Sequence, residues 1–244
     1  MVCLIVPCFN EVGRLNADAF ARFLGGSSND CVCFVNDGSR DETASFLDRF
    51  VAAFPARAFV VHLEHNVGKA EAVRRGVLQM SKTGRFTILG YWDADLAAPL
   101  SEVAPMVETM RQHPQCDLVL GSRWKRLGAL IVRRWIRHVL GRVFATLASH
   151  TLDLPVYDSQ CGAKLFRARV ADVMFGEPFL TRWLFDVEIL ARLKVHVGVS
   201  RMNGAALEFP LGEWQDVGGS KMPFAQMASA PANLLTIYLR YPRR

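Results

Sequence analysis

The chain has 244 residues, of which 51% are hydrophobic and 21% charged, with a formal net charge of +6. That length allows one large α/β domain or two small ones, and the composition excludes a disordered, collagen-like or low-complexity chain. No uncharged apolar run reaches the ~18 residues of a membrane-spanning helix, and Met1 to Phe9 lacks the basic leader and cleavage site of a signal peptide, so neither is expected.

The six cysteines are Cys3, Cys8, Cys31, Cys33, Cys116 and Cys161. None forms a Cys-x-x-Cys pair, which argues against zinc or dithiol chemistry and for buried thiols in a reducing compartment. Val2 to Cys8 reads as a buried strand that ends in Pro7-Cys-Phe-Asn10-Glu11. Leu15, Phe20 and Phe23-Leu24 fall at helical spacing, closed by Gly25-Gly26. A second strand, Cys31 to Val35, runs into Asn36-Asp37-Gly38-Ser39, with Ser39 or Asp41 as the cap of a helix through Phe46, Leu47 and Phe50. A third strand, Ala58 to Leu63, leads to His65-Asn66-Val67-Gly68-Lys69. A helix with Ala72-Val73, Gly76-Val77 and Met80 as its apolar stripe follows. The fourth strand, Ile88 to Trp92, runs into Asp93-Ala94-Asp95. A helix through Val103, Met106, Val107 and Met110 precedes a fifth strand, Leu118 to Ser122, and then Arg123.

Strands alternating with helices through short loops predict an α/β fold, a mostly parallel sheet flanked by helices on both faces. Ligands of such sheets sit beyond the carboxyl ends of the strands. Here those ends carry Asn10-Glu11, Asp37, Gly68-Lys69, Asp93/Asp95 and Arg123. There is no Gly-x-Gly-x-x-Gly after the first strand, no Gly-x-x-x-x-Gly-Lys-Ser/Thr loop and no Gly-x-Ser-x-Gly elbow. The expected ligand therefore bears phosphate and is held by metal and basic side chains rather than by a glycine cradle. Asp93 and Asp95 stand at i and i+2, which an extended chain places on one face. Two such carboxylates either bind a hard divalent ion, Mg²⁺ or Mn²⁺, or form a solvated acidic loop.

Between Asp117 and Asp153 no acidic residue occurs, while Arg123, Lys125, Arg126, Arg133, Arg134, Arg137 and Arg142 do. Val132, Trp135-Ile136, Val139-Leu140, Val143-Phe144 and Leu147 recur at helical spacing. This predicts a basic amphipathic helix, which either lies at a membrane interface or packs on its own domain with a solvated basic face. Nucleic acid is not expected as a partner, because no groove-reading motif accompanies the basic run. The apolar tail from Phe224 to Tyr241 is likewise either an interfacial anchor or a packed segment.

Further motifs are Asp158-Ser-Gln-Cys-Gly162, Phe185-Asp186-Val-Glu188 and Glu208-Phe-Pro210. Together with Pro7 to Glu11, Asn36 to Ser39, Asn66 to Lys69, Asp93 to Asp95 and Gly121-Ser-Arg123, in this order, they resemble the family 2 glycosyltransferases of GT-A fold. Within that family the resemblance is to the polyprenyl-phosphate (dolichyl-phosphate) hexosyltransferases, and Trp214 with Gly219-Ser-Lys221 points to the glucosyl branch.

The resemblance covers nearly the whole chain and implies a single GT-A catalytic domain. Residues 1–122 would form the nucleotide-sugar half, 123–215 the acceptor and membrane-facing half with its amphipathic helices, and 216–244 a tail. It implies an inverting enzyme that moves a hexose, glucose from UDP-glucose favoured, onto a polyprenyl phosphate at the cytoplasmic face of a membrane, with peripheral attachment. Alternatives are a GDP-mannose donor, a non-lipid acceptor, or a non-catalytic nucleotide-sugar-binding scaffold. The implied roles are as follows: Pro7, Asn10, Glu11 and Asp37 hold base and ribose, Gly68 and Lys69 belong to the donor loop, and Asp93 with Ala94 meets ribose or sugar. Asp95 binds a divalent metal, Mg²⁺ or Mn²⁺, on the diphosphate. Arg123 and one of Arg133 and Arg134 contact phosphate. Asp186 lies in the segment that shapes the sugar pocket, and Lys221 reaches phosphate from the tail. Asp158 serves as base, orients the acceptor or sugar, or is a turn aspartate. Asn36 stands where the family often has aspartate, Ala70 replaces a frequent glycine, and Gly90 interrupts the fourth strand.

Overall fold

The computed structural model describes residues 1–26, 29–132, 135–217 and 229–241, with 135–140 described as backbone only. The chain divides into two compact units. One comprises Met1–Leu96 and Ala163–Pro178, the other Ala97–Gly162 and the residues from Phe179 onward.

The first unit is a sheet in the order β3 (Ala58–Leu63), β2 (Cys31–Asp37), β1 (Val2–Cys8), β4 (Ile88–Trp92), β7 (Ala163–Arg167). The first four strands run parallel, and β7 joins β4 antiparallel. β2 is buried along its whole length and β1 almost so. Continuous apolar runs of this kind suit strands covered on both faces. The helices α1 (Ala17–Gly25), α2 (Thr43–Ala52) and α3 (Lys69–Ser81) follow β1, β2 and β3 in turn, as the alternation predicts. Asn16 caps α1, its side chain accepting the Ala19 amide at 3.0 Å. At α2 the expected caps divide: Asp41 accepts the Thr43 amide at 3.0 Å, whereas the Ser39 hydroxyl leaves the helix and accepts the Asn10 amide.

Gly90 finds its physical reason here. A Cβ added to it would lie 2.4 Å from the carbonyl oxygen of Lys164 and 2.5 Å from Leu165 Cδ2. Only a glycine lets the β7 backbone come this close to β4.

The second unit pairs β5 (Leu118–Ser122) with β8 (Ala206–Pro210), and β6 (Leu130–Val132) with β9 (Glu213–Gln215), both in parallel. α4 (Val103–Gln112) follows a short 3-10 turn, Leu100–Glu102. The buried Glu102 accepts the amides of Gly212 and Glu213 at 2.8 and 2.9 Å, fixing the start of β9. The basic section is helical from Trp135 to Leu152 (α5). Its described side chains show which side packs. Ala145, Ala148 and Leu152 are buried, whereas Val143 and Leu147 are 56% and 44% exposed. Ala145 and Ala148 turn inward, where small side chains permit close helix approach, while Val143 and Leu147 face out. α6 (Ala171–Phe175) belongs to the first unit; α7 (Phe185–Val197), α8 (Val199–Ala205) and α9 (Ala230–Arg240) belong to the second. The tail helix α9 packs against α5, burying Leu234 and Ile237 and leaving Leu235 and Leu239 exposed. No described helix is long and apolar enough to cross a membrane.

α7 is buried almost throughout and encloses a charged pair. Glu188, fully buried, accepts from Arg192 at 2.8 Å, from the Tyr241 hydroxyl at 3.2 Å and from the Leu180 amide at 2.9 Å. All six cysteines are buried thiols outside any disulfide, and burial pushes the Cys33 thiol up to about 12.

Candidate active site

Two constellations form, one in each unit. In the first, Asp37 is 3% exposed at the end of β2. Its carboxylate accepts the amides of Val67 and Gly68 at 2.7 and 2.9 Å, and the Asn66 side-chain amide at 2.9 Å. Asp37 therefore anchors the loop that carries Gly68 and Lys69. Gly38, at φ +61°, completes the joint: a Cβ there would lie 2.4 Å from the His65 carbonyl carbon. Asn36 is engaged elsewhere, accepting the Ser39 amide and bonding His62 Nδ1 at 3.0 Å. The turn after β1 is stitched to the same region. Asn10, at φ +55°, accepts the Arg40 amide at 2.8 Å, and the Glu11 amide donates to Thr43 Oγ1 at 2.9 Å. Pro7 is half-buried within β1, beside Val35 of β2.

Asp93 and Asp95 do not share the face of an extended strand. β4 ends at Trp92, and the Leu96 amide donates back to the Asp93 carbonyl at 3.1 Å. This tight turn, with Leu96 at φ +50° and Ala94 buried, separates the two carboxylates. Asp93 forms an ion pair with Lys69, and Asp95 lies 3.9 Å from the Arg14 guanidinium. Arg14 also faces Glu11 at 3.6 Å. Among the described residues no three His, Cys, Asp or Glu side chains gather in a metal-binding group. The Asp95 carboxylate is a hard oxygen ligand of the kind that Mg²⁺ or Mn²⁺ takes singly, with water and substrate phosphate completing the shell.

In the second unit Arg123 follows β5 and forms a two-pronged pair with Asp158. Nε lies 2.7 Å from Oδ2 and Nη2 2.7 Å from Oδ1, and the Arg123 amide also donates to Oδ2. The guanidinium lies 5.4 Å from the centre of the Trp214 ring. Glu208, on β8, holds the peptide that carries Asp158: its two oxygens accept the amides of Tyr157 and Asp158 at 2.8 and 2.7 Å. Burial pushes the Glu208 carboxyl above its ordinary value, and these two amide bonds oppose that shift. Arg142 of α5 stacks on the Tyr157 ring at 3.8 Å and donates to the Tyr157 carbonyl. A cavity of about 310 Å³ adjoins this cluster, lined by Ser122, Trp124, Tyr157, Glu208 and Pro210.

Of the remaining expected site residues, Asp186 is buried in the first turn of α7, and Arg133, Arg134 and Lys221 lie outside the described residues. Sequence reasoning gave Arg14 and Lys164 no role, counted Arg142 only within the basic run, and quoted Glu208 without a role. Glu208 was visible within its Glu-Phe-Pro motif, but the signal for the other three is spatial.

Residues 3–175 match the family described as Glycosyl transferase family 2. The chain belongs to that family. It is 29% identical over 98% of its length, and 74% of the relative's, to a protein of Dictyostelium discoideum named dolichyl-phosphate beta-glucosyltransferase. Proteins of the same name from Drosophila melanogaster and Homo sapiens are 30% and 28% identical, each over 98% of this chain and 74% and 75% of their own. Among solved structures, glucosyl-3-phosphoglycerate synthase from Mycobacterium tuberculosis with Mn²⁺ and UDP-glucose superposes with a TM-score of 0.68 at 17% identity. The match covers 99% of this chain and 78% of that one. A second complex of that enzyme, with UDP, gives a TM-score of 0.66 over 98% and 80%. At such identity the likeness speaks to fold alone, and it agrees with the GT-A architecture expected from the motifs. Membership of the family makes the chain a glycosyltransferase.

Proposed function

We propose that the chain transfers one glucose from UDP-glucose to the phosphate of a dolichyl-type polyprenyl lipid, with inversion, at a membrane surface. The observation that carries this is the likeness, over 98% of the chain, to proteins named dolichyl-phosphate beta-glucosyltransferase. In the reaction a phosphate oxygen of the lipid attacks the anomeric carbon, a new carbon–oxygen bond forms, and the bond to UDP breaks. The attacking phosphate is already ionised near neutral pH, so no strong general base is required. This agrees with an Asp158 committed to Arg123: its task is to aim the guanidinium, whose fork suits phosphate. Asp37 and the 66–69 loop would receive the nucleotide, with Pro7, Asn10 and Glu11 beside it. Asp95 would hold a divalent ion that neutralises charge on the departing diphosphate, with Asp93 toward ribose or sugar.

The decisive assay presents the purified chain with dolichyl phosphate in vesicles and labelled UDP-glucose or GDP-mannose, with and without EDTA. Glucolipid is expected from UDP-glucose alone, lost with EDTA and in Asp95→Ala. Transfer only from GDP-mannose would replace the donor assignment, and transfer only to soluble sugars would replace the lipid acceptor.

Membrane attachment on the side that carries the nucleotide sugar, read as cytoplasmic, is supported by apolar side chains that the second unit leaves in solvent. They include Leu127, Leu130 and Val132, Val143 and Leu147 of α5, and Leu235 and Leu239 of α9. Each Val or Leu buried in lipid contributes roughly 1.5–3 kcal/mol. In flotation with anionic vesicles the parent chain is expected to rise, and the triple variant Val143→Glu, Leu147→Glu, Leu239→Glu to stay at the bottom. Unchanged flotation of that variant would move the attachment surface elsewhere.

A further inference from the structure

Glu208 lies on β8 beside Leu120 of β5. Side chains two apart on a strand share a face, so Leu120 and Ser122 look the same way as Glu208. The Ser122 side chain hydrogen-bonds the Glu208 carboxylate. Ser122 is buried and immediately precedes Arg123. The same carboxylate accepts two consecutive amides, Tyr157 at Oε2 and Asp158 at Oε1, at 2.8 and 2.7 Å. The carbonyl of the 157–158 peptide is held as well, since it accepts from Arg142 Nη1 at 3.0 Å. One carboxylate therefore joins the segment that carries Arg123 to the segment that carries Asp158.

The placement has a cost. Burial pushes the Glu208 carboxyl above its ordinary value, and the nearby Asp158 charge pushes the same way. The two amides and the Ser122 side chain oppose the shift. A glutamine could satisfy only one of the two amides, because its NH₂ group would set a donor against a donor. A carboxylate accepts at both oxygens, and charge-assisted bonds of this kind are shorter and stronger than neutral ones. With both oxygens holding donors, Glu208 is built as a brace rather than as a base.

We propose that Glu208 is a positioning residue for glycosyl transfer. It ties the two halves of the Arg123–Asp158 clamp to each other and so sets the direction in which the guanidinium meets phosphate. This rests on the transfer to lipid phosphate proposed above.

The test is a double-mutant cycle in transfer from labelled UDP-glucose to dolichyl phosphate, with each protein assayed well below its own melting temperature. Glu208→Gln is expected to lower turnover roughly ten- to a hundredfold in the parent, the loss that misplacing a positioning group brings. In the Asp158→Asn background, where the clamp is already loosened, the same change should cost less than about twofold. Glu208→Asp keeps the charge but is one methylene shorter, too short to span both amides, and should follow the same pattern. A brace for the fold alone would lower the melting temperature and leave turnover of the folded protein parent-like, and that result overturns the proposal. Losses that multiply across the cycle also overturn it, because Glu208 would then act by a route other than the clamp. If Glu208→Gln fails to fold, Glu208→Asp decides by the same cycle. Failure of both to fold makes Glu208 a structural residue and overturns the proposal. A parent chain that makes no glucolipid overturns the transfer itself, and this proposal with it. An active parent with a multiplicative cycle overturns this proposal alone.

Discussion

Asp158→Asn is expected to produce a folded protein with transfer reduced by about a hundredfold or more. The amide keeps the shape of the carboxylate but not its charge, and it accepts through one oxygen only. Arg123 would lose one of its two short bonds and its counter-charge in a place where the two side chains are 17% and 8% exposed. Removing one partner of a buried ion pair costs about 3–5 kcal/mol. At about 2–4 °C per kcal/mol for a chain of this size, the melting temperature should fall by roughly 6–20 °C. Misplacing a substrate-positioning group by an ångström lowers rates by about 10². Turnover with saturating donor and acceptor, measured well below the lowered melting temperature, separates the two effects. A rate within about threefold of the parent would show that the Arg123–Asp158 clamp has no part in the reaction.

The second large effect falls far from any reacting group. Gly90→Ala is expected to destabilise the first unit by about 3 kcal/mol or more, beyond the usual range for an added methyl. The obstruction at 2.4 Å is backbone, the Lys164 carbonyl, which cannot swing aside as a side-chain tip would. Either β7 shifts away from β4 or the strand pairing fails. Gly13→Ala is the matched control: nothing lies within 4 Å of its added Cβ. It should stay within about 0.5 kcal/mol of the parent. Urea unfolding of the three proteins measures the difference, and a Gly90→Ala midpoint equal to the parent's would contradict the β4–β7 register.

The parallel part of the sheet was legible because β1, β2 and β4 are short apolar runs that end in polar loops. Nothing in Ala163–Arg167 announced an antiparallel strand, since a lysine at the second place of a five-residue run reads as exposed. The three-residue strands β6 and β9 are too short to carry a period. In α5 the spacing of apolar residues announced a helix but not which side packs. Both faces carry apolar groups, and close approach selected Ala145 and Ala148 over Val143 and Leu147. At the site, Asp37, Asp93, Asp95, Arg123 and Asp158 stood out as charges at strand ends or in motifs. Their partners did not: that Asp37 holds the 66–68 loop, or that Asp95 faces Arg14, depends on distances no spacing encodes. The expectation that Asp93 and Asp95 share one extended face failed for a local reason, because the chain turns at once after Trp92 instead of staying extended.

The placement of β7 also sets the order in which the protein can be completed on the ribosome. β4 ends at Trp92, while the strand that closes its flank begins at Ala163, so about 70 residues must be synthesised in between. At ~5–20 residues per second this takes several seconds. Throughout that interval the nascent sheet presents an unpaired strand edge, with Gly90 offering no side chain to blunt it, and such an edge invites pairing with other chains. The sheet matures out of sequence order, and its most exposed moment comes before its last strand has been made.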